Sequence, residues 1–385
     1  MENLLDYVNR AGAAGFDELP LTEVDLACFT QLVYLPYDLA FESMPRPSLA
    51  QAAQAMADVE GGKIYNVFLR KRLELMRAMA LLPRYAGLML WRFIKEIDPE
   101  SEKQFCVFTI LLPDGTAVIC YEGTDTSLVG WKEDFNMSFE SPVPSQKAAE
   151  DYLCGIAQDF PQAPLILTGH SKGGNLSVWA AAFAKPDVQR RILGVYTFDG
   201  PGLMEEDADT PGYAAVTDRI HAYLPQKSLV GVLMRQHVPS MVIKSGGFSL
   251  LQHDLFTWEV EPEGHAFVRM PELSRTARLR DEALDSWLRG LSMENRECFC
   301  DAIYKVLSAD ESNETLIDLV RVDRDSAIRA LRAIRDIDPM IRKMIRRAIF
   351  ELFTGSVEVI VEAAKEAVLE ALPIGREDKD AKDAE

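Results

Sequence analysis

Long apolar runs are missing from this chain: no stretch of its 385 residues reaches the ~18 consecutive apolar residues that crossing a bilayer requires. A targeting pattern is missing too. Met1-Glu2-Asn3-Leu4-Leu5-Asp6 has neither a positive n-region nor a long apolar core, so no signal peptide is expected. Positive charge is in deficit. Lys and Arg total 41 against 60 Asp and Glu, and the net charge of −19 argues against nucleic acid or an anionic membrane surface as the main partner. Cysteine is sparse and unpatterned: Cys28, Cys106, Cys120, Cys154, Cys298 and Cys300 show no metal-binding spacing. Several lie in apolar runs, where cysteine acts as a small hydrophobe. Cys298 and Cys300 are too close for an easy mutual disulfide, so reduced thiols and a cytoplasmic location are expected. No internal repeat is present.

What is there is the composition of a folded, soluble protein: 48% hydrophobic and 26% charged, over a length that fits one large domain or two smaller ones. Residues 1–102 read as a helical N-terminal region packed on the core. One helix runs from Thr22, an N-cap with Asp25 at the capping-box position, through Leu35. A second spans Lys63 to Met79, with Tyr65, Leu69, Leu73 and Met76 on one face, and a third is expected over Gly87 to Glu96.

Near Lys103 the pattern changes. Phe105 to Leu112 and Thr116 to Tyr121 read as strands joined by the turn Pro113-Asp114-Gly115. A polar loop from Glu122 to Asp134 and a helix over Ser145 to Asp159 follow. Leu165 to Thr168 is a short apolar strand, and a small-residue helix from Asn175 to Lys185 is stopped by Pro186. Further strands are expected at Ile192 to Phe198, Arg219 to Leu224, Ser240 to Lys244 and Phe256 to Val260. Strands alternating with helices over residues 103–273 imply a mostly parallel sheet with an antiparallel hairpin at one edge.

Residues 274–373 return to helical periodicity, with amphipathic segments at Asp281 to Leu291, Arg296 to Leu307, Ser326 to Ile337 and Ile341 to Phe353, then Ser356 to Leu372. The segment from Ile341 sets an apolar stripe beside Arg342, Lys343, Arg346 and Arg347, a pattern shared by membrane-surface helices and by core-packed helices with a solvated basic face. We read it as core-packed and leave peripheral membrane contact open. Residues 374–385 form a charged tail, expected to be disordered.

Between the Leu165 strand and its helix stands Gly169-His170-Ser171-Lys172-Gly173. G-x-S-x-G in a strand–turn–helix context is a nucleophile elbow, where the turn forces the serine into strained geometry and flanking glycines avoid clashes. The expected fold is therefore an α/β-hydrolase with helical N-terminal and C-terminal additions. A serine hydroxyl needs a histidine to accept its proton and a carboxylate to orient that histidine, in chain order Ser, acid, His for this fold. His221, His237, His253 and His265 follow Ser171. His221 sits within a strand, His237 has no recommending feature, and His265 lies in a polar turn past the last strand. His253, in the loop after Ser240 to Lys244 and the flexible Ser245-Gly246-Gly247, is the preferred base, with His265 next. Asp199, at the C-terminal end of the strand after the elbow helix, is the preferred acid. It competes with a plain turn role in Asp199-Gly200-Pro201-Gly202. Asp254 is adjacent to His253, and Asp218 belongs to the opposite rim. The oxyanion hole is expected from the main-chain N–H of Lys172, whose side chain is taken as incidental, and from Thr124 in the Glu122-Gly123-Thr124-Asp125 loop.

Tyr121-Glu122-Gly123-Thr124-Asp125, followed by Trp131 and Asp134, resembles the F-R-G-[ST] … W … D segment of class 3 (fungal-type) lipases. Gly169-His170-Ser171-Lys172-Gly173-Gly174 matches their G-H-S-x-G-G elbow, and Thr197-Phe198-Asp199-Gly200-Pro201 resembles their T-F-G-x-P strand end. This similarity covers residues 103–260 and implies that Thr124 helps bind the oxyanion. The whole chain more closely resembles the bacterial Mbeg-like family, a domain of unknown function in the α/β-hydrolase group. That likeness rests on Asn3-Leu4-Leu5-Asp6-Tyr7-Val8 and on Gln252-His253-Asp254 with Trp258. One position departs from the lipase pattern. Ser228, in Lys227-Ser228-Leu229-Val230-Gly231, stands where those lipases carry the acid in R-D-x-V-P. Either Asp199 supplies the acid from the preceding strand or the triad is incomplete. The expected activity is cleavage of a small-molecule or lipid carboxylic ester through an acyl-enzyme on Ser171, which requires no metal or cofactor. A weak or inactive hydrolase-fold scaffold, or an acyltransferase using the same residues, are the alternatives.

Overall fold

The computed structural model describes residues 2–57, 67–125, 127–234, 236–247, 249–275, 277 and 296–297. Eight strands form one sheet in which spatial order follows chain order. β1 (Met89–Asp98), β2 (Lys103–Leu111) and β3 (Ala117–Tyr121) make an antiparallel meander. From β3 the sheet runs parallel through β4 (Leu165–His170), β5 (Ile192–Phe198), β6 (Ile220–Pro225) and β7 (Ser240–Ile243). β8 (Arg269–Met270) closes the far edge antiparallel to β7.

This order has a consequence for the layers. Parallel crossovers are right-handed, and four that each advance one strand in the same direction place their helices on one face of the sheet. The other face would stay bare. Strand alternation separates the two sets of side chains. Leu165 and Leu167 of β4 pack with α8 (Pro144–Asp159) and α9 (Lys172–Phe183) in one core. Ile166, with Phe108, Cys120, Phe198 and Tyr223, packs in a second core against the N-terminal helices α1 (Leu4–Ala11), α2 (Glu23–Leu32) and α5 (Val67–Ala80). The N-terminal region is therefore the missing layer.

Charged residues pin that layer. Thr22 caps α2 through the expected capping box with Asp25. Asp25 also accepts from Arg84 at 2.6 Å and from Tyr85 Oη at 2.8 Å, deep in the layer. Glu23 reaches the sheet, accepting from Tyr223 Oη at 2.9 Å and from the Phe267 N–H at 2.8 Å.

Three expectations are corrected. Gly87 to Glu96 is not a helix but most of β1, paired with β2. A bulge between Trp91 and Ile94, with Arg92 at φ 54°, interrupts the two-residue alternation that would have marked a strand. The loop from Glu122 to Asp134 holds α7 (Leu128–Asn136), N-capped by Ser127, whose Oγ accepts from the Gly130 N–H at 3.1 Å. Phe256 to Val260 makes only isolated bridges after a short 3₁₀ turn at Leu255–Thr257. The helices expected from Asp281 onward and the charged tail lie outside the described residues, 296–297 apart. No helix among the described residues is long and apolar enough to cross a membrane.

Candidate active site

The turn out of β4 is as sharp as the motif requires. Ser171 has φ 59° and ψ −132°, a region that side chains rarely occupy, and α9 starts at the next residue. Its N–H donates to the Phe198 carbonyl at 3.0 Å, tying the turn to the end of β5. A Cβ on Gly169 would lie 2.1 Å from the Gly173 main chain, so the approach of strand to helix excludes any side chain there. Ser171 is 9% exposed.

β5 pairs in parallel with β4 and ends on the same rim, where Asp199 is also strained, at φ 48°. Asp199 is fully buried and accepts three hydrogen bonds. His253 Nδ1 donates to Oδ2 at 2.7 Å. Ser228 Oγ and the Gly231 N–H donate to Oδ1 at 2.5 Å and 3.0 Å. These three donors satisfy a side chain that would otherwise be buried without partners. The His253 side chain remains 24% exposed. Ser228 is thus a hydrogen-bond donor to Asp199, one strand over.

The loop after β3 lies against the elbow: a Cβ on Gly123 would sit 3.0 Å from Ser171 Cβ. Thr124 Oγ1 donates a short hydrogen bond to Asp134 Oδ2, so its hydroxyl is already committed. Among the described residues, the main-chain N–H groups of Thr124 and Lys172 have no acceptor. Burial pushes the Asp134 carboxyl up to about 6, against the favourable pull of Lys172, the Thr124 hydroxyl and His253. Glu122 is pushed up further, to about 7, by burial and by Asp125.

The Lys172 side chain is not incidental. Its Nζ is buried and donates to the Gln104 carbonyl, Gln104 Oε1 and Glu133 Oε2 at 2.7, 2.6 and 2.8 Å. Glu133 accepts in turn from the Gln104 and Ser145 N–H groups at 3.0 and 2.8 Å. One ion pair thus joins the first residue of α9 to β2, α7 and α8. The sequence around Lys172 carries no local mark of this, because its partners lie 39 and 68 residues away.

The other candidates are occupied elsewhere. His221 stacks on Tyr196 with centroids 4.6 Å apart, His237 Nε2 is 3.3 Å from the Leu203 carbonyl, and His265 meets the edge of Tyr7. Asp254 pairs with Lys71 at 3.0 Å, and Asp218 with Arg219 at 3.5 Å. No group of His, Cys, Asp and Glu suited to a metal occurs among the described residues.

A family model described as Mbeg1-like matches residues 79–305. The chain belongs to the Mbeg1-like family. Its match takes in the whole sheet from within α5 to beyond β8, and with it Ser171, Asp199 and His253. This Mbeg1-like chain is also similar to solved lipases. The M37 lipase shares 15% identity at a TM-score of 0.33, over 54% of this chain and 68% of that one. Lipase II from Rhizopus niveus shares 14% at 0.35, over 72% and 94%, and the Lip2 lipase from Yarrowia lipolytica 11% at 0.31, over 50% and 74%. Among curated protein sequences there is no significant match.

Proposed function

We propose that this Mbeg1-like protein is a serine hydrolase that cleaves a carboxylic ester, lipase-like, through an acyl-enzyme on Ser171. The observation that carries it is the 2.7 Å bond from His253 Nδ1 to the buried Asp199, on the rim where Ser171 is held at positive φ. Each role follows from proton bookkeeping. The bond to Asp199 puts the proton of neutral His253 on Nδ1 and leaves Nε2 a lone pair. Among the described residues Ser171 Oγ and His253 Nε2 make no hydrogen bond, and such contacts tighten when substrate binds. Nε2 then takes the Ser171 proton as Oγ attacks the ester carbonyl. Asp199 stabilises the imidazolium, and His253 returns the proton to the leaving alcohol.

The negative oxygen of the tetrahedral intermediate is assigned to the Thr124 and Lys172 N–H groups. Their lack of an internal acceptor supports this, because a preorganised donor costs no rearrangement when charge develops. The Thr124 hydroxyl, turned to Asp134, orients its own main chain and is not itself a donor to substrate. Water completes the cycle by deacylation, with His253 as base.

The test is turnover of p-nitrophenyl esters of increasing acyl length by wild type and Ser171→Ala. Saturable hydrolysis by wild type that Ser171→Ala abolishes is expected. Equal rates in both would remove Ser171 from the reaction, and a folded wild type inert across the panel would favour a scaffold role.

A further inference from the structure

His170 is one of only five histidines in the chain, and the proposed mechanism does not use it. Alternation along β4 turns it away from α9 and towards the N-terminal layer, where it is buried. There its two nitrogens hold two separate parts of the site. Nε2 lies 2.7 Å from the main-chain carbonyl of His253. Nδ1 lies 3.1 Å from Tyr34 Oη, just past the end of α2, and Tyr34 Oη accepts the Gly123 N–H at 3.0 Å.

The partners fix every proton. A carbonyl only accepts, so Nε2 carries hydrogen and donates to His253. Tyr34 Oη takes the Gly123 hydrogen on a lone pair and gives its own to Nδ1, the nearer acceptor at 3.1 Å against 3.5 Å for the His170 carbonyl. The ring is therefore the neutral Nε2–H tautomer. Burial, His253 and Arg72 all hold its pKa well below the ordinary histidine value, in keeping with that state. The Arg72 guanidinium lies 3.7 Å over the Tyr34 ring and fixes the tyrosine from the other side.

His253 needs such a hold. Gly246 and Gly247 lead into its segment, and Asp199 grips only the ring. The main chain on either side is clamped as well: Trp258 Nε1 donates to the Gln252 carbonyl at 2.8 Å, and Lys71 pairs with Asp254. The His170 and His253 rings approach to 4.3 Å between centroids.

We propose that His170 is a positioning residue. It sets the distance between Ser171 and His253 by holding the His253 carbonyl, and through Tyr34 it locks the Gly123–Thr124 loop to the same frame. This inference rests on the assignment of Ser171 and His253 as nucleophile and base. Its neutral state serves the same end, since an imidazolium at 4.3 Å would oppose the positive charge that His253 gains in the transition state. A misplacement of about 1 Å between reacting groups costs about a hundredfold in rate.

The experiment compares ester hydrolysis by His170→Phe, His170→Gln and Tyr34→Phe with wild type, each alongside its unfolding temperature. The proposal predicts that His170→Phe loses about a hundredfold in kcat with KM nearly unchanged. His170→Gln, which offers an N–H and an acceptor at similar reach, recovers most of that loss at equal stability. Wild-type kcat in His170→Phe, or equal losses in the Phe and Gln variants, would overturn it. Should His170→Phe not fold, Tyr34→Phe and the ¹⁵N-histidine spectrum of wild type decide. A lowered kcat in Tyr34→Phe with a neutral Nε2–H tautomer of His170 supports the proposal; an Nδ1–H or charged His170 refutes it. The spectrum needs no turnover, so failure of the esterase assignment, seen as an inert wild type, stays distinct from failure of the positioning role.

Discussion

Ser228 Oγ donates to Asp199 Oδ1 at 2.5 Å, so the residue at the lipase acid position is a hydrogen-bond donor to a carboxylate on the neighbouring strand. In the proposed triad Asp199 supplies the acid and Ser228 supports it. Two consequences distinguish this arrangement from a decayed triad. Ser228→Ala removes one of three donors and should lower kcat/KM roughly tenfold, the effect typical of outer-shell partners. Ser228→Asp should lose activity rather than gain it. A second carboxylate against buried Asp199 forces one of the two to take a proton and compete for His253. Steady-state ester kinetics at neutral pH read both.

Asp199→Asn keeps the shape and removes the charge. The amide can present its N–H to His253 Nδ1, which then carries its hydrogen on Nε2, where the Ser171 proton must go. The expected loss is about 10⁴-fold in kcat, as when the acid of a serine triad is replaced by its amide. Unaltered turnover would return Asp199 to a turn role.

Lys172→Met tests the buried ion pair separately from chemistry. Removing Nζ leaves Glu133 charged in the core with only main-chain donors, and losing one member of such a pair costs about 3–5 kcal/mol. Denaturant unfolding should show that loss, with much of it recovered when Glu133→Gln is added.

Glu122 gives the fold a signed pH dependence. Its carboxyl, ordinarily near 4.5, is raised to about 7 by burial and by Asp125, with Lys95 and Arg72 opposing. A raised pKa means the folded chain binds the extra proton. The stabilisation is complete below pH 4.5 and is lost as pH rises through about 7. Glu122→Gln should therefore exceed wild type in unfolding free energy by an amount that grows between those values, on the order of 3 kcal/mol when ionisation is complete. A difference independent of pH would show that Glu122 titrates normally.

The elbow was legible in the sequence because its signal is local: glycines, serine and a strand–helix change lie within a dozen residues. Asp199 and His253 could be proposed because chain order and strand ends narrow the choice, and the fold brings both to one hydrogen bond. β1 is not legible, because a local irregularity, the bulge at Arg92, breaks the periodicity that marks a strand. The contacts of Ser228 and of the Lys172 side chain are not legible in the sequence for a different reason. Their partners are set by strand order and helix packing, 29 residues away for Ser228 and 39 or more for Lys172. Tyr34 lies further still from His170, at 136 residues, and only the layer of N-terminal helices reveals it.

The proposed mechanism requires Ser171 to be an activated nucleophile. A fluorophosphonate probe followed by intact-mass and peptide analysis tests it most directly. We predict one adduct on wild type, located at Ser171, none on Ser171→Ala, and sharply slowed labelling of Asp199→Asn. A folded wild-type protein that takes no label, or a Ser171→Ala variant that labels as fast as wild type, would contradict a nucleophilic Ser171.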